Sequence, residues 1–291
     1  MGWVGWILAS AVVLAVYDLL KKESVRDNAV LPVLMVSTAS GAASYVLALA
    51  SGGALGDAFA AVSGEVVWLS AVKTVIVGTS WIFTFVALRT LPITIATPIR
   101  ASAPAVVALV AYFHYGEHPC ALQWTGMALV FAGFFAFSWA GRAEGVDFIR
   151  SKAVYFAIGG MVFSAGSALF DKYVFQVAAA PVSAVQLLFQ LFLCGFYLAV
   201  WTVGRCCGRR GDRFVWRRAI PFVGIALALA DWLYFNALAD PAAMISIGSL
   251  LRRFSVVITF VFGAVIFRER NLRRKSLALA LLVAGTVLLC L

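Results

Sequence analysis

The chain has 291 residues, 63% of them hydrophobic and 12% charged, with a formal net charge of +10 and a mean hydropathy of +0.98. A soluble domain carries about 25% charged residues, so a soluble helical core of this composition would have almost no polar surface left for water. Most Lys and Arg lie in short segments between apolar runs, so the positive balance sets membrane orientation rather than pointing to nucleic acid.

Apolar stretches of about 20 residues, enough to cross ~30 Å of hydrocarbon, recur along the chain. It opens on "MGWVGWILAS", which has no basic region before its apolar run and reads as a first transmembrane helix rather than a cleaved signal. Ten spans are predicted, at 3–20, 29–51, 65–88, 92–114, 121–140, 153–171, 182–203, 219–239, 242–267 and 276–290. The breaks "GGALGD", "GEHP", "GRAEGVD", "RCCGRRGDR" and "RERNLRRK" are polar, Gly-rich or Arg-rich. "RTLP" and "ADP" make tight hairpins with a proline opening the next helix. Trp3, Trp6, Trp68, Trp124 and Trp139 fall near span ends, as in an aromatic belt. Cys120, Cys194, Cys206, Cys207 and Cys290 have no metal-ligand spacing and imply neither zinc nor disulfides.

A shift of 150 to 152 residues pairs Lys22 with Lys172, Trp81 with Trp232, and Ala87-Leu88 with Ala237-Leu238. It also pairs Thr97-x-x-Arg100 with Ser249-x-x-Arg252, Glu117 with Glu269, and Gly133 with Gly285. The expected organisation is a five-helix repeat over 1–141, a linker over 142–152 and a second repeat over 153–291. Five is odd, so the second repeat enters the membrane inverted. The predicted fold is therefore an all-α polytopic membrane protein of ten transmembrane helices in two inverted repeats, the plan on which secondary transporters build alternating gates.

The stretch "ALRTLPITIATPIRASAPAVVALVAYFHYGEHPCALQWTGMALVFAGF" resembles the EamA-type repeat of the drug/metabolite transporter superfamily, with Pro104, Gly116-Glu117, Gly126 and Gly133 in the family's places. In the second half Glu269 and Gly285 are kept, while Val256 and Arg268 stand where the pattern has Pro and Gly. The resemblance implies transport without fixing the substrate. It also implies both termini inside. The charge count implies the opposite. Odd-numbered loops hold eighteen Lys and Arg and even-numbered loops at most Lys172, which places the odd loops in the cytoplasm and both termini outside.

A charge at mid-bilayer costs roughly 2.5–3.5 kcal/mol on insertion scales, so each needs a reason. The deep ones are Lys73, Arg100, Asp231, Arg252 and Arg253, four cations against one clear anion. Lys73 is close enough to its helix start to snorkel, and Asp231 is expected to neutralise Arg252 or Arg253. The remaining guanidinium groups suit a carboxylate or phosphate guest. The repeat makes Arg100 and Arg252 equivalent, with Thr97, Ser249 and other small residues beside them, as a cavity wall requires. The expected substrate-binding set is Arg100, Arg252, Arg253, Thr97, Ser249, Asp231, Trp81, Trp232, Tyr234 and Asn236. Lys22, Lys172, Lys73, Glu117 and Glu269 form the expected gate or coupling set. Plainer readings stand beside these: arginines stapling helices, Asp231 as a structural counter-ion, Lys22 and Lys172 as loop markers, and the aromatics as lipid or core packing.

No P-loop, nucleophile motif, metal pair or carboxylate dyad occurs, so no cofactor, metal or enzymatic step is expected. The expected function is export or exchange of a small anionic or zwitterionic metabolite by a monomer in a bacterial cytoplasmic membrane, with membrane lipids as the other partner. The rivals are a non-transporting scaffold or partner subunit and a flippase of a lipid-linked phosphate.

Overall fold

The computed structural model describes residues 2–25, 28–90, 103–139, 152–206, 213–255, 258, 280, 281, 283–285 and 287–289. Among them the secondary structure is entirely helical. The helices are α1 (Trp3–Val25), α2 (Val30–Ser51), α3 (Leu55–Ala60), α4 (Gly64–Thr90), α5 (Ala103–His114), α6 (Ala121–Trp139), α7 (Lys152–Lys172), α8 (Val182–Cys206), α9 (Ala219–Leu238) and α10 (Ile245–Leu251). A π turn, Tyr173–Val177, continues α7.

Six helices among the described residues are long and apolar enough to span a membrane: Trp3–Lys21, Val30–Ser51, Gly64–Thr84, Val154–Val177, Val182–Cys206 and Ala219–Leu238. Ala103–His114 and Ala121–Gly133 are shorter apolar helices. Much of the predicted spans 92–114, 242–267 and 276–290 lies outside the described residues. The short helix α3 begins within the predicted "GGALGD" interruption and ends before the third predicted span; its Ala58 packs against Tyr45 and Leu187.

Two predicted spans need correction. The sixth, 153–171, runs on through the π turn to Val177, so Lys172 lies inside the span and not in the following loop. The ninth was expected to be one helix over 242–267. Its first helix, α10, ends at Leu251, and Arg252-Arg253 form a turn before helix resumes at Phe254.

The chain forms two compact units, each drawing on both halves of the sequence. One comprises residues 79–172 and 242–291. The other comprises residues 2–78 and 173–241. In the second unit, α2 and α9 touch at glycines, where a Cβ on Gly224 would lie 1.7 Å from the Ser37 carbonyl oxygen. In the first, α6 meets the segment around Gly285 in the same way: a Cβ on Gly126 would lie 2.9 Å from the Gly285 oxygen. Helix association in lipid lacks the hydrophobic drive of water, so close backbone approach supplies the packing.

Candidate functional site

The first unit holds a buried charge cluster built from three chain segments. Where α5 ends, Gly116 adopts φ +64°, a conformation that costs side-chain-bearing residues energy. The reversal lets the N–H groups of Tyr115 and Glu117 both reach the Ala111 carbonyl, at 3.0 and 3.2 Å. It also sends the Glu117 side chain inward, where the residue is 6% exposed.

There the carboxylate meets four donors. Lys172 Nζ lies 2.5 Å from Oε1, and the Ile245 N–H donates to the same oxygen at 2.6 Å. The Ser246 N–H donates to Oε2 at 3.0 Å, and the Ser246 hydroxyl donates to that oxygen too. Ile245 and Ser246 are the first residues of α10, and Met244 before them offers no side-chain cap. Glu117 therefore satisfies helix-start N–H groups from a distant part of the chain, with a charge of the sign the helix start favours. Tyr115 completes the cluster: its hydroxyl donates to the Leu169 carbonyl at 3.0 Å, and its ring centroid lies 5.1 Å from Lys172 Nζ.

Helix α10 leads from this cluster to the arginines. Arg252 N–H still donates four residues back, to Gly248, at 3.0 Å. Arg253 and Ser255 then donate three residues back, to Leu250 at 2.9 Å and Arg252 at 3.4 Å. This tightening to 3₁₀ spacing breaks the regular helix at the two guanidinium-bearing residues, a feature often found at hinges. Both arginines are half-buried. Ser249, one turn before, donates its hydroxyl to the Ser246 carbonyl at 3.0 Å. Ser249, Arg252 and Arg253 thus share one stretch of a single turn and a half, as the sequence suggests.

Among the described residues of the second unit the buried charges are Lys73 and Asp231. Lys73 is 2% exposed, so it does not snorkel as expected. Its amine sits 4.4 Å from the Phe235 ring centroid and 4.8 Å from that of Phe189, against the negative faces of both rings. Asp231 is also buried and lies one helical turn before Phe235, on the same face of α9. Lys73 is therefore a core cation on the Asp231 face.

The expected aromatic groups divide. Tyr234 is buried, whereas Trp232 is exposed and packs edge-on against Trp6, 5.6 Å away. Consecutive helical residues are about 100° apart, so Trp232 and Tyr234 face different surroundings. Asn236 donates to the Trp232 carbonyl of its own helix at 2.7 Å. Trp81 is half-buried in the first unit, and near it Phe83 packs edge-on against Phe156 and Phe163 at 5.5 and 5.6 Å.

Arg100, Thr97 and Glu269 lie outside the described residues, as does the side chain of Lys22. Sequence reasoning missed Ser246, Tyr115, and the roles of Phe189 and Phe235 beside Lys73. The one available signal was a hydroxyl residue two positions after Met244, in the first turn of a helix with no capping residue of its own.

The model of the EamA-like transporter family matches residues 1–139. One crystal structure of a protein aligns over 99% of this chain and 98% of its own, with a TM-score of 0.76 and 15% sequence identity, a likeness of fold. No curated protein matches the chain. Together with the long apolar helices, these findings describe an integral, multi-pass membrane protein whose residues 1–139 match the model of a transporter family.

Proposed function

We propose, from the match of residues 1–139 to the model of the EamA-like transporter family, that the protein is a secondary transporter of a small anionic or zwitterionic metabolite. It exports or exchanges this substrate by alternating access, as a monomer in a bacterial cytoplasmic membrane. The observation that carries the reading is the pair of adjacent guanidinium groups, Arg252 and Arg253, at a break in a helix that the sequence predicts to cross the membrane. Guanidinium forks bind carboxylate and phosphate with two parallel hydrogen bonds. A turn that is already tightened can change its spacing as the substrate enters and leaves. Arg100, with Thr97, is the repeat-related second arm of this clamp by sequence.

Around the clamp, Glu117 and Lys172 act as a gate. Glu117 anchors the first turn of α10, the helix that carries the arginines, so release of the ion pair loosens that helix. Lys22 and Glu269 are their repeat-related counterparts by sequence, and Lys73 and Asp231 are buried in the second unit.

The test is thermal stabilisation and counterflow uptake in liposomes across amino acids, sugar phosphates and nucleotide sugars. One of these classes is expected to raise the melting temperature and to exchange. Arg100→Gln and Arg252→Gln should abolish both effects while the protein stays folded. If no anion stabilises the wild type and both variants unfold, the arginines staple helices and the scaffold reading replaces this one. Movement of a lipid-linked phosphate alone would make the protein a flippase.

A further inference from the structure

The connection between α8 and α9 joins two span-length helices, so its described residues, 213–218, lie at a membrane surface. Among its described residues, Arg213–Arg217 form a non-helical strap fixed to the α1–α2 connection. The buried side chain of Asn28 donates to the Val215 carbonyl at 2.7 Å and accepts the Val215 N–H at 2.9 Å. Arg217 donates to the Glu23 carbonyl at 2.5 Å and lies 3.3 Å from the Glu23 carboxylate. These bonds use the inward polar groups of the strap.

What remains faces outward. Phe214 and Trp216 are 38% and 59% exposed, their ring centroids 6.4 Å apart. Arg213 and Arg218 flank them and are exposed. Arg205, also exposed, stands at the end of α8 with its guanidinium 5.4 Å from the Trp201 ring. Across 21–28 and 205–218 the sequence has nine Lys and Arg against three Asp and Glu. Glu23, the acid of these segments that the strap engages, is bonded to Arg217.

We propose that this strap is a headgroup site for anionic phospholipid of the membrane that holds the protein. Aromatic rings at headgroup depth satisfy an apolar body and a wet edge together. The flanking guanidinium groups match a lipid phosphate bidentately, and the charge of the surface complements an anionic leaflet. The protein side is held in advance by Asn28 and Glu23, so lipid binding need not order it.

The experiment is native mass spectrometry of the full-length protein in micelles holding equal phosphatidylglycerol and phosphatidylcholine. The wild type should retain phosphatidylglycerol preferentially. Each basic residue near an anionic surface is worth about a fivefold preference, so Arg213→Gln with Arg218→Gln should lower it by about 25-fold. Both positions are exposed, so the fold is expected to persist. Asn28→Ala leaves every charge in place but frees Val215, and should lower the preference severalfold. Equal retention of the two lipids by the wild type would overturn the proposal, as would an unchanged preference in either variant. Displacement of phosphatidylglycerol by polyglutamate at matched charge would assign the surface to an acidic protein instead.

Discussion

Removing Glu117 and removing Lys172 should have very different consequences, although the two form one ion pair. Glu117→Ala leaves the Lys172 ammonium, with a side chain 10% exposed, without its carboxylate. Breaking a buried pair in this way costs about 3–5 kcal/mol, and losing the acceptor at the start of α10 adds about 1 kcal/mol. Lys172→Met leaves the carboxylate with three donors in place, the N–H groups of Ile245 and Ser246 and the Ser246 hydroxyl. It should cost about 1.5–3 kcal/mol, the worth of one charged hydrogen bond.

The double variant strands no charge and should therefore be more stable than Glu117→Ala alone. The difference should be about 2 kcal/mol, the part of the penalty due to the isolated ammonium. Unfolding of the purified protein by titration with a denaturing detergent, followed by tryptophan fluorescence, measures all three. If Lys172→Met proves as damaging as Glu117→Ala, or the second substitution brings no recovery, then Glu117 does not serve both the lysine and the helix start.

Gly224→Ala should destabilise the second unit by about 1–3 kcal/mol or more through overpacking, since its Cβ would fall on the Ser37 carbonyl and 2.6 Å from Ser40 Oγ. Gly195→Ala in α8, where a Cβ meets nothing within 4 Å, should be neutral or gain up to ~1 kcal/mol in the same assay. Lys73→Met keeps the volume between Phe189 and Phe235 whereas Lys73→Ala empties it, so the two should differ by about 2 kcal/mol. Equal stabilities would mean that the lysine stem is not packed in the core.

Much of the helical layout was legible because runs of about 20 apolar residues report length and depth directly. The predicted 29–51, 121–140 and 219–239 correspond to α2, α6 and α9 within a residue. Depth, however, says nothing about azimuth. Lys73 sits near enough to a helix start to reach water, yet the face it occupies points at two phenylalanines and the Asp231 face. Glu117 was readable as the end of a motif, but its partners are 55, 128 and 129 residues away, and no periodicity announces them. Gly126 and Gly285 were both visible as repeat positions. That their backbones touch depends on helix packing rather than on either helix alone. The break at Arg252 was hidden for a similar reason: "SLLRRFS" contains neither proline nor glycine at the turn, so helix propensity gives no warning.

The bonds between connections also bear on orientation, where charge count and family resemblance disagree. In the second unit, Asn28 to Val215 and Glu23 to Arg217 bring the α1–α2 and α8–α9 connections to one end. Gln176, in the π turn that ends the sixth span, donates to the Asp240 carbonyl at 3.0 Å and so joins that span end to the connection after α9. In the first unit, Tyr115 to Leu169 joins the connection after α5 to the last turn of α7, and Glu117 to Ile245 joins it to the start of α10. Two connections meet at one end only when an even number of crossings separates them. The ten predicted spans meet that condition in every case. By sequence, segments 21–28 and 205–218, which contain the α1–α2 and α8–α9 connections, carry nine basic residues, while segments 115–120, 178–181 and 239–244 contain no Lys or Arg. The positive-inside rule then puts the basic end in the cytoplasm. Cys120 and Cys206 are exposed thiols on opposite sides of this assignment. In intact cells carrying single-cysteine variants, an impermeant maleimide should label Cys120 at once and Cys206 only after permeabilisation. Labelling in the reverse order would place both termini inside, and the arginine-rich connections would then face outward against the charge rule.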